Sequence, residues 1–157
     1  MTTHAQDVLA FHEKFGVPMR TSPGMIAYTD IEYKLKHILE EVTEAFEAAG
    51  QSDLVTLVDS LVDVVYVAIG AALNLGVNPE TWQRCWDLVQ AANMAKVRVD
   101  RPEQSKRNHP WDIVKPEGWV APEAKMSEVL FTARFMTMQA KPQDLAQRSL
   151  FPEDEQC

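Results

Sequence analysis

The sequence is poor in cysteine, glycine and positive charge, and each scarcity excludes a class of protein. Its 157 residues include two cysteines, Cys85 and Cys157, which cannot build a disulfide framework. Six glycines and nine prolines are too few for a collagen-like or low-complexity chain. Lysine and arginine number 15 against 23 acidic residues, so the net charge is −8. This charge disfavours binding to nucleic acid or to an anionic membrane, and the lack of a signal-peptide pattern predicts a cytoplasmic protein.

The sequence also lacks the glycine-rich phosphate loops of P-loop and Rossmann nucleotide sites. No useful stretch of β alternation is present, whereas apolar residues recur at helical spacing. Residues 101–122 carry prolines that predict an extended loop. We therefore predict an all-α helical bundle, with a main domain at 1–122 and a C-terminal helix and flexible tail at 123–157. The predicted helices are 1–16, Thr29 or Asp30 to Gly50, Ser52 or Asp53 to Leu75, Asn78 to about Val99, and Ala124–Met138.

The third predicted helix is almost free of polar side chains. Between Thr56 and Ala72 only Asp59, Ser60, Asp63 and the Tyr66 hydroxyl interrupt the apolar run, which is typical of a buried helix. The segment is long enough to span a membrane, but each aspartate near its middle would cost roughly 2.5–3.5 kcal/mol on insertion. We therefore predict that the third helix is buried within the protein and does not span a membrane. The second helix has an apolar stripe that is expected to face the core: Leu35, Leu39, Val42 and Phe46.

Acidic residues cluster on the second and third helices. Glu41 and Glu44 lie about 60° apart on the helical wheel with Glu40 beside them, on the flank away from the apolar stripe. Asp59 and Asp63 are one turn apart on the apolar third helix, where a carboxylate must be paired, protonated or metal-bound. The short connection predicts antiparallel helices whose acids face each other, as a divalent cation requires. Metal binding has three alternatives. The glutamates could form a solvated helix face, and the aspartates could pair with arginines or face a dimer seam.

The segment Leu39-Glu40-Glu41-Val42-Thr43-Glu44, followed by Asp59 to Val67, resembles the MazG-like superfamily of all-α nucleoside triphosphate pyrophosphohydrolases. Glu41 and Glu44 match its E-x-x-E element. The second element departs from the usual E-x-x-D, because Ser60 stands at the glutamate position and Asp59 comes one residue earlier. This D-x-x-x-D form is similar to the HisE-like branch of phosphoribosyl-ATP pyrophosphohydrolases and to phage-encoded members. The likeness extends over residues 5–122.

The resemblance implies hydrolysis between the α and β phosphates, which yields a nucleoside monophosphate and pyrophosphate. It implies two or three Mg²⁺ or Mn²⁺ ions, held by Glu41, Glu44, Asp63 and Asp59. Glu40 and Glu41 are the candidate catalytic residues, and Glu40 would orient or deprotonate the attacking water. The family builds its site in dimers that often pair into tetramers, so a homodimer or homotetramer is expected.

A basic segment supplies candidate ligands for the substrate. Residues 96–115 are net +3 in an otherwise acidic chain. Asn93 and Lys96 lie one turn apart and are assigned to phosphate or ribose, while Lys115 and Trp119 lie on a loop that could close over a nucleotide. Trp119 serves either as a stacking platform or in core packing, and His37 is expected in solvent.

Three functions stay open from the sequence. The first is a (deoxy)nucleoside triphosphate pyrophosphohydrolase in a bacterial or phage-infected cytoplasm, with dGTP or GTP favoured over dUTP and dCTP. The second is phosphoribosyl-ATP hydrolysis, which the added loop and tail after residue 100 disfavour. The third is an acidic helical protein that binds a partner without catalysis and needs no metal.

Overall fold

The computed structural model describes residues 2–139, and helices dominate that range. The five α-helices are α1 (His4–Phe15), α2 (Tyr28–Gly50), α3 (Leu54–Asn74), α4 (Pro79–Met94) and α5 (Glu123–Gln139). Between α4 and α5 a 3-10 turn, Pro102–Gln104, separates two short antiparallel strands, β1 (Val97–Arg98) and β2 (Ile113–Val114). The all-α prediction is confirmed. Two-residue strands are too short to show alternation, so the sequence did not predict them, and the expected tail from residue 140 lies outside the described residues.

Most helix starts follow local capping chemistry. Thr3 caps α1 in a capping box with Gln6, Asp53 accepts two backbone N–H bonds at the start of α3, and Asn78 caps α4 ahead of Pro79. These side chains satisfy N–H groups that have no partner within the helix. α2 differs from the prediction, because it begins at Tyr28 and its N-cap residue makes no side-chain bond.

Helices α2 and α3 form the central hairpin, which is joined by only three residues and is the most extensive helix contact of the fold. Its buried residues near the connection are small: Ala45, Ala48 and Ser60. Small side chains allow two helix backbones to approach closely. Helix α1 packs against α3 and α4, and α5 packs on α4. A compact core joins α1 to the second half of α3 through Ala5, Val8, Ile69 and Leu73.

The segment before α2 anchors the end of α3. The Gly24 N–H donates to the Leu75 carbonyl at 3.0 Å. Gly76 has a φ of 78°, and a Cβ there would lie 2.1 Å from the Ser22 carbonyl oxygen. Only glycine meets both requirements, because other residues rarely adopt positive φ and any side chain would collide with this backbone.

The predicted burial is confirmed for the second half of α3 but is wrong, within a single chain, for its first half and for most of the α2 stripe. In α2, Leu35, Leu39 and Phe46 are 56%, 63% and 73% exposed, and only Val42 of the stripe is partly buried. The first half of α3 is equally open, with Leu54, Val55, Val58, Leu61, Val62 and Val65 each at least half exposed. No described element covers these residues, which we call the uncovered apolar residues. Helix α3 is also long and apolar enough to cross a membrane by length and composition alone.

Candidate functional site

The acidic residues of α2 and α3 meet at the middle of the hairpin. The Glu41 side chain is 13% exposed. Burial raises the pKa of Glu41, and the charges of Glu44, Asp63 and Glu40 raise it further. These effects show that the structure brings together three glutamates of one helix and an aspartate of the next. Like charges held this close oppose ionisation, and a bound cation would reverse that cost.

His37 also belongs to this group, contrary to its expected place in solvent. Its Nε2 lies 3.2 Å from the Glu41 Oε1, and the side chain is partly buried. This imidazole is the one neighbour that lowers the pKa of Glu41. Its effect is smaller than those of burial, Glu44 and Asp63, so the net shift of Glu41 is upward.

Asp59 is not among the charges that act on Glu41. It is exposed, one turn before Asp63 on α3. Ser60, which stands where the resemblance expects a glutamate, is 2% exposed and lies within the hairpin. A carboxylate at that buried position would need a charged partner. Among residues 2–139 no group of three or more His, Cys, Asp or Glu side chains is close enough to hold a metal ion. The metal roles of Glu41, Glu44, Asp59 and Asp63 therefore stay predictions.

A cavity of about 220 Å³ opens beside the acids, and we call it the acid-flanked cavity. Glu41 and Asp63 line it together with residues of α1, α2 and α3: Val8, Phe11, His12, Lys34, His37, Tyr66, Val67 and Gly70. The rings of Phe11 and Tyr66 meet edge to face, with centroids 5.7 Å apart. The cavity thus has a carboxylate wall, an aromatic wall and two basic side chains that the acids do not neutralise.

His12 and Lys34 are site residues that sequence reasoning missed. His12 is 3% exposed, and its Nδ1 atom has no hydrogen-bond partner. Burial and then the charge of Lys34 lower the pKa of His12 to about 4. The available signal was the spacing of His12, which falls four residues after Val8 on the apolar face of α1. A polar residue on such a face either makes its hydrogen bonds within the core or binds a ligand. Spacing alone does not distinguish these two cases.

The candidate substrate ligands after α4 also come together. The Lys96 ammonium donates to the Asn93 Oδ1 at 2.7 Å. Lys96 and Lys115 both approach the Trp119 ring, at 5.8 and 4.2 Å from its centroid. The Trp119 Nε1–H donates to the Ala92 carbonyl at 2.7 Å and so ties the loop to α4. We call Asn93, Lys96, Lys115 and Trp119 the cationic cluster.

Within residues 2–139 of one chain, no hydrogen bond, ion pair or ring contact joins the cationic cluster to the acids. The reason lies in the packing of α4, whose main neighbours are α1 and α5 rather than the hairpin. The hairpin acids and the cationic cluster, which are the two halves of the predicted site, therefore lie apart in a single chain.

A comparison with models of known protein families identifies a match over more than half of the chain. The family model for phosphoribosyl-ATP pyrophosphohydrolase, PRA-PH, matches residues 8–93. The matched span contains the hairpin acids, His12, Lys34 and Asn93, but it ends before Lys96. No curated protein shows significant similarity to the chain.

Proposed function

Because the chain belongs to the phosphoribosyl-ATP pyrophosphohydrolase family, within the MazG-like all-α superfamily, we propose that it hydrolyses a (deoxy)nucleoside triphosphate to a monophosphate and pyrophosphate. Pyrophosphohydrolase activity in general follows from the family. The observation that carries the proposal is that Glu41 of α2 and Asp63 of α3 line one cavity, where burial and the neighbouring Glu44 and Asp63 raise the pKa of Glu41. Carboxylates clustered in this way cost stability until a cation binds them, and clusters of this kind are typical of functional sites.

The donor set fits Mg²⁺ or Mn²⁺, because these hard cations take carboxylate oxygens. Glu41, Glu44 and Asp63 would hold two or three such ions, with Asp59 as a fourth candidate. When bound, the ions would neutralise part of the polyphosphate charge and lower the pKa of a water molecule bound to them. Glu40, exposed beside Glu41, orients the attacking water and accepts its proton.

The cationic cluster would bind the remaining negative charge of the substrate. Lys96 and Lys115 contact phosphate oxygens, Asn93 contacts phosphate or ribose, and Trp119 offers a ring face. Since the cluster and the acids are separate in one chain, we propose that a second copy of the chain, in a homodimer or homotetramer, joins them. The uncovered apolar residues support this assembly, because exposed apolar surface of this extent is unusual on a monomer.

A second copy suits the uncovered apolar residues better than a lipid bilayer does. Asp59 and Asp63 lie within α3, where a bilayer would have to accommodate them at considerable cost. The net charge of −8 also disfavours an anionic lipid surface and nucleic acid. We further propose that the protein acts in the cytoplasm of a bacterium or of a phage-infected host.

Phosphoribosyl-ATP hydrolysis is the second candidate, since the family is described by that reaction and uses the same bond cleavage. Residues 94–139, with Lys96, Lys115, Trp119 and α5, lie beyond the matched span. That additional structure favours a different substrate. A non-catalytic binding protein is least supported, because it gives no use to the charge cluster around Glu41.

An endpoint assay tests the proposal. The pure protein is incubated with Mn²⁺ and, separately, each common dNTP, each NTP and phosphoribosyl-ATP, and the products are separated by chromatography. Monophosphate and pyrophosphate from one or a few triphosphates support the proposal. Turnover of phosphoribosyl-ATP alone would replace it with the second candidate, and no product from any compound would favour the binding protein.

A further inference from the structure

His37 lies in a row of three side chains on α2 that ends at the acids. Tyr33, His37 and Glu41 are spaced four residues apart, so they are neighbours on one side of the helix. The ring centroids of Tyr33 and His37 are 6.4 Å apart, and the His37 Nε2 lies 3.2 Å from the Glu41 Oε1. The imidazole therefore has an aromatic ring on one side and a carboxylate on the other, which together limit its orientation.

Glu41 is the hairpin acid that has a basic neighbour. Within residues 2–139, no basic nitrogen comes within ion-pair distance of the other hairpin acids: Glu40, Glu44, Asp59 and Asp63. The Glu41 side chain is 13% exposed, and both Glu41 and His37 line the acid-flanked cavity. The contact therefore involves the acid around which the other charges gather.

The chemistry of the two groups sets the direction of this contact. An ionised carboxylate only accepts hydrogen bonds, so the imidazole nitrogen that faces it must carry a hydrogen. A neutral imidazole meets this requirement as well as a charged one does. The Nε2–Oε1 distance of 3.2 Å lies at the outer end of the range for an N–H···O bond. His37 can therefore hold one oxygen of Glu41 without any change of charge, while the other oxygen remains for a cation.

We propose that His37 is a positioning residue, which holds the Glu41 carboxylate for the binding of a divalent cation. Its Nε2–H donates to Oε1 and leaves the second oxygen of Glu41 as the cation ligand. Carboxylates that bind metals are commonly held by such neighbours, and the loss of one typically weakens metal affinity by about 10- to 100-fold. The inference rests on the proposed function, because it assumes that Glu41 binds a metal ion.

A purely electrostatic role of His37 predicts the opposite result. If the imidazole acted only as a nearby positive charge, it would repel a divalent cation, and its removal would tighten the binding of Mn²⁺. If it were a side chain without a role, its removal would change nothing. A positioning role predicts weaker binding, so the direction of the change separates the three cases.

The test measures the binding of Mn²⁺ to the full-length protein without nucleotide. Free Mn²⁺ gives an electron paramagnetic resonance signal that decreases when the ion binds, so a titration yields the affinity. We expect His37→Leu, which removes both nitrogens, to weaken binding by about 10- to 100-fold. Lys36→Met is the matched control and should keep the wild-type affinity, because Lys36 is exposed and pairs with Glu32. Unchanged or tighter binding in His37→Leu overturns the proposal.

Two amide variants identify the nitrogen responsible. A glutamine side chain places its amide nitrogen near the position of the histidine Nε2, whereas the shorter asparagine places it near the Nδ1. We therefore expect His37→Gln to return Mn²⁺ binding to near the wild-type affinity and His37→Asn to remain weak. Both variants carry the same neutral amide, so the comparison is decisive even if His37→Leu does not fold. Equal binding by the two amide variants overturns the proposal.

The outcomes separate this inference from the proposed function. Loss of Mn²⁺ binding in Glu41→Gln, with wild-type binding in His37→Leu, overturns the positioning role alone. A wild-type protein that binds no Mn²⁺ overturns both the metal site and the positioning role. Weaker Mn²⁺ binding in His37→Leu, in a protein that hydrolyses no nucleotide, overturns the proposed function and leaves His37 as a positioning residue of a metal site.

Discussion

Glu41 of α2 and Asp63 of α3 line one cavity from the two arms of the hairpin, and the charge of Asp63 helps to raise the pKa of Glu41. The pair joins residues that are distant in sequence into one electrostatic unit. This relationship is the central structural support for the proposed phosphate-cleaving site, because carboxylate oxygens are the ligands that hard divalent cations take.

Removal of either carboxylate is expected to abolish turnover. Glu41→Gln and Asp63→Asn keep the side-chain size but remove the charge, and we expect kcat/KM to fall by at least about 100-fold. Steady-state assays with Mn²⁺ measure the loss, and circular dichroism checks the helix content. Glu47→Gln, an exposed position on the same helix, is the control and should retain activity. Wild-type rates in either site variant would refute the metal assignment.

Asp59 and Asp63 are expected to differ in importance. Asp59 is exposed and does not act on the pKa of Glu41, whereas Asp63 does. We therefore expect Asp59→Asn to lose less activity than Asp63→Asn in the same assay. An equal loss would show that Asp59 is a full ligand in the assembled site, as the D-x-x-x-D resemblance implies.

Divalent cations should stabilise the folded protein. A ligand that binds only the folded state raises the free energy of unfolding by about 2.7 kcal/mol when its concentration is 100 times its Kd. We expect the melting temperature to rise with Mn²⁺ concentration, and the rise to be much smaller in Glu41→Gln. Thermal unfolding with Mn²⁺, and with Ca²⁺ or EDTA for comparison, provides the measurement. No shift in the wild type would favour the non-catalytic alternative.

Acid should weaken the fold through His12. The folded pKa of His12 is about 4, below its usual value of 6.5. Between these values the unfolded chain binds a proton that the folded chain rejects, so stability falls as the pH falls. The difference amounts to roughly 2 kcal/mol between pH 7 and pH 5.

Urea unfolding of wild type and His12→Phe at pH 7, 6 and 5 isolates this effect. The carboxylates titrate in both proteins, including Glu41 with its raised pKa and Asp112, whose pKa the Ser105 hydroxyl and Arg107 lower to about 2. Their effects cancel in the difference between the two proteins. A constant difference across the three pH values would contradict the buried, neutral imidazole.

A charge on the uncovered apolar residues should dissociate the proposed oligomer. Leu61 is 53% exposed on α3, and Leu61→Glu would place a carboxylate in the proposed interface. We expect light scattering to give a dimer or tetramer mass for wild type and a monomer mass for the variant. Met25→Glu, at an exposed position in the segment before α2, is the control. A monomeric wild type would remove the proposed second copy.

The C-terminal helix α5 carries the apolar residues Leu130, Phe131, Phe135 and Met138, from which we predict that it acts as a subunit clasp. The residues suggested for it, Phe131, Phe135 and Met138, are exposed, while Leu130 is partly buried. Truncation after Pro122 with an unchanged oligomer mass would remove that role.

The sequence by itself determined the helices and the spacing of the acids. The features that predicted the helices are local, since each depends on residues within one or two turns. They are the helical periodicity, the caps Asp53 and Asn78, and the apolar run of α3. For the same reason the short α2–α3 connection was enough to predict that Glu41 and Asp63 face each other. Cys85, which falls on the apolar face of α4, is buried.

Only the tertiary structure decided which apolar faces are covered and which polar groups meet. Periodicity shows that Leu39 or Leu61 belongs to an apolar face, but whether a partner covers that face depends on the direction of α1 and α4. The burial of Lys34 and its lack of an ion pair among the described residues likewise depend on which helices surround it. His12 meets Gly70 because α1 crosses α3 there. Long-range packing sets these relationships, and a one-dimensional pattern carries no information about it.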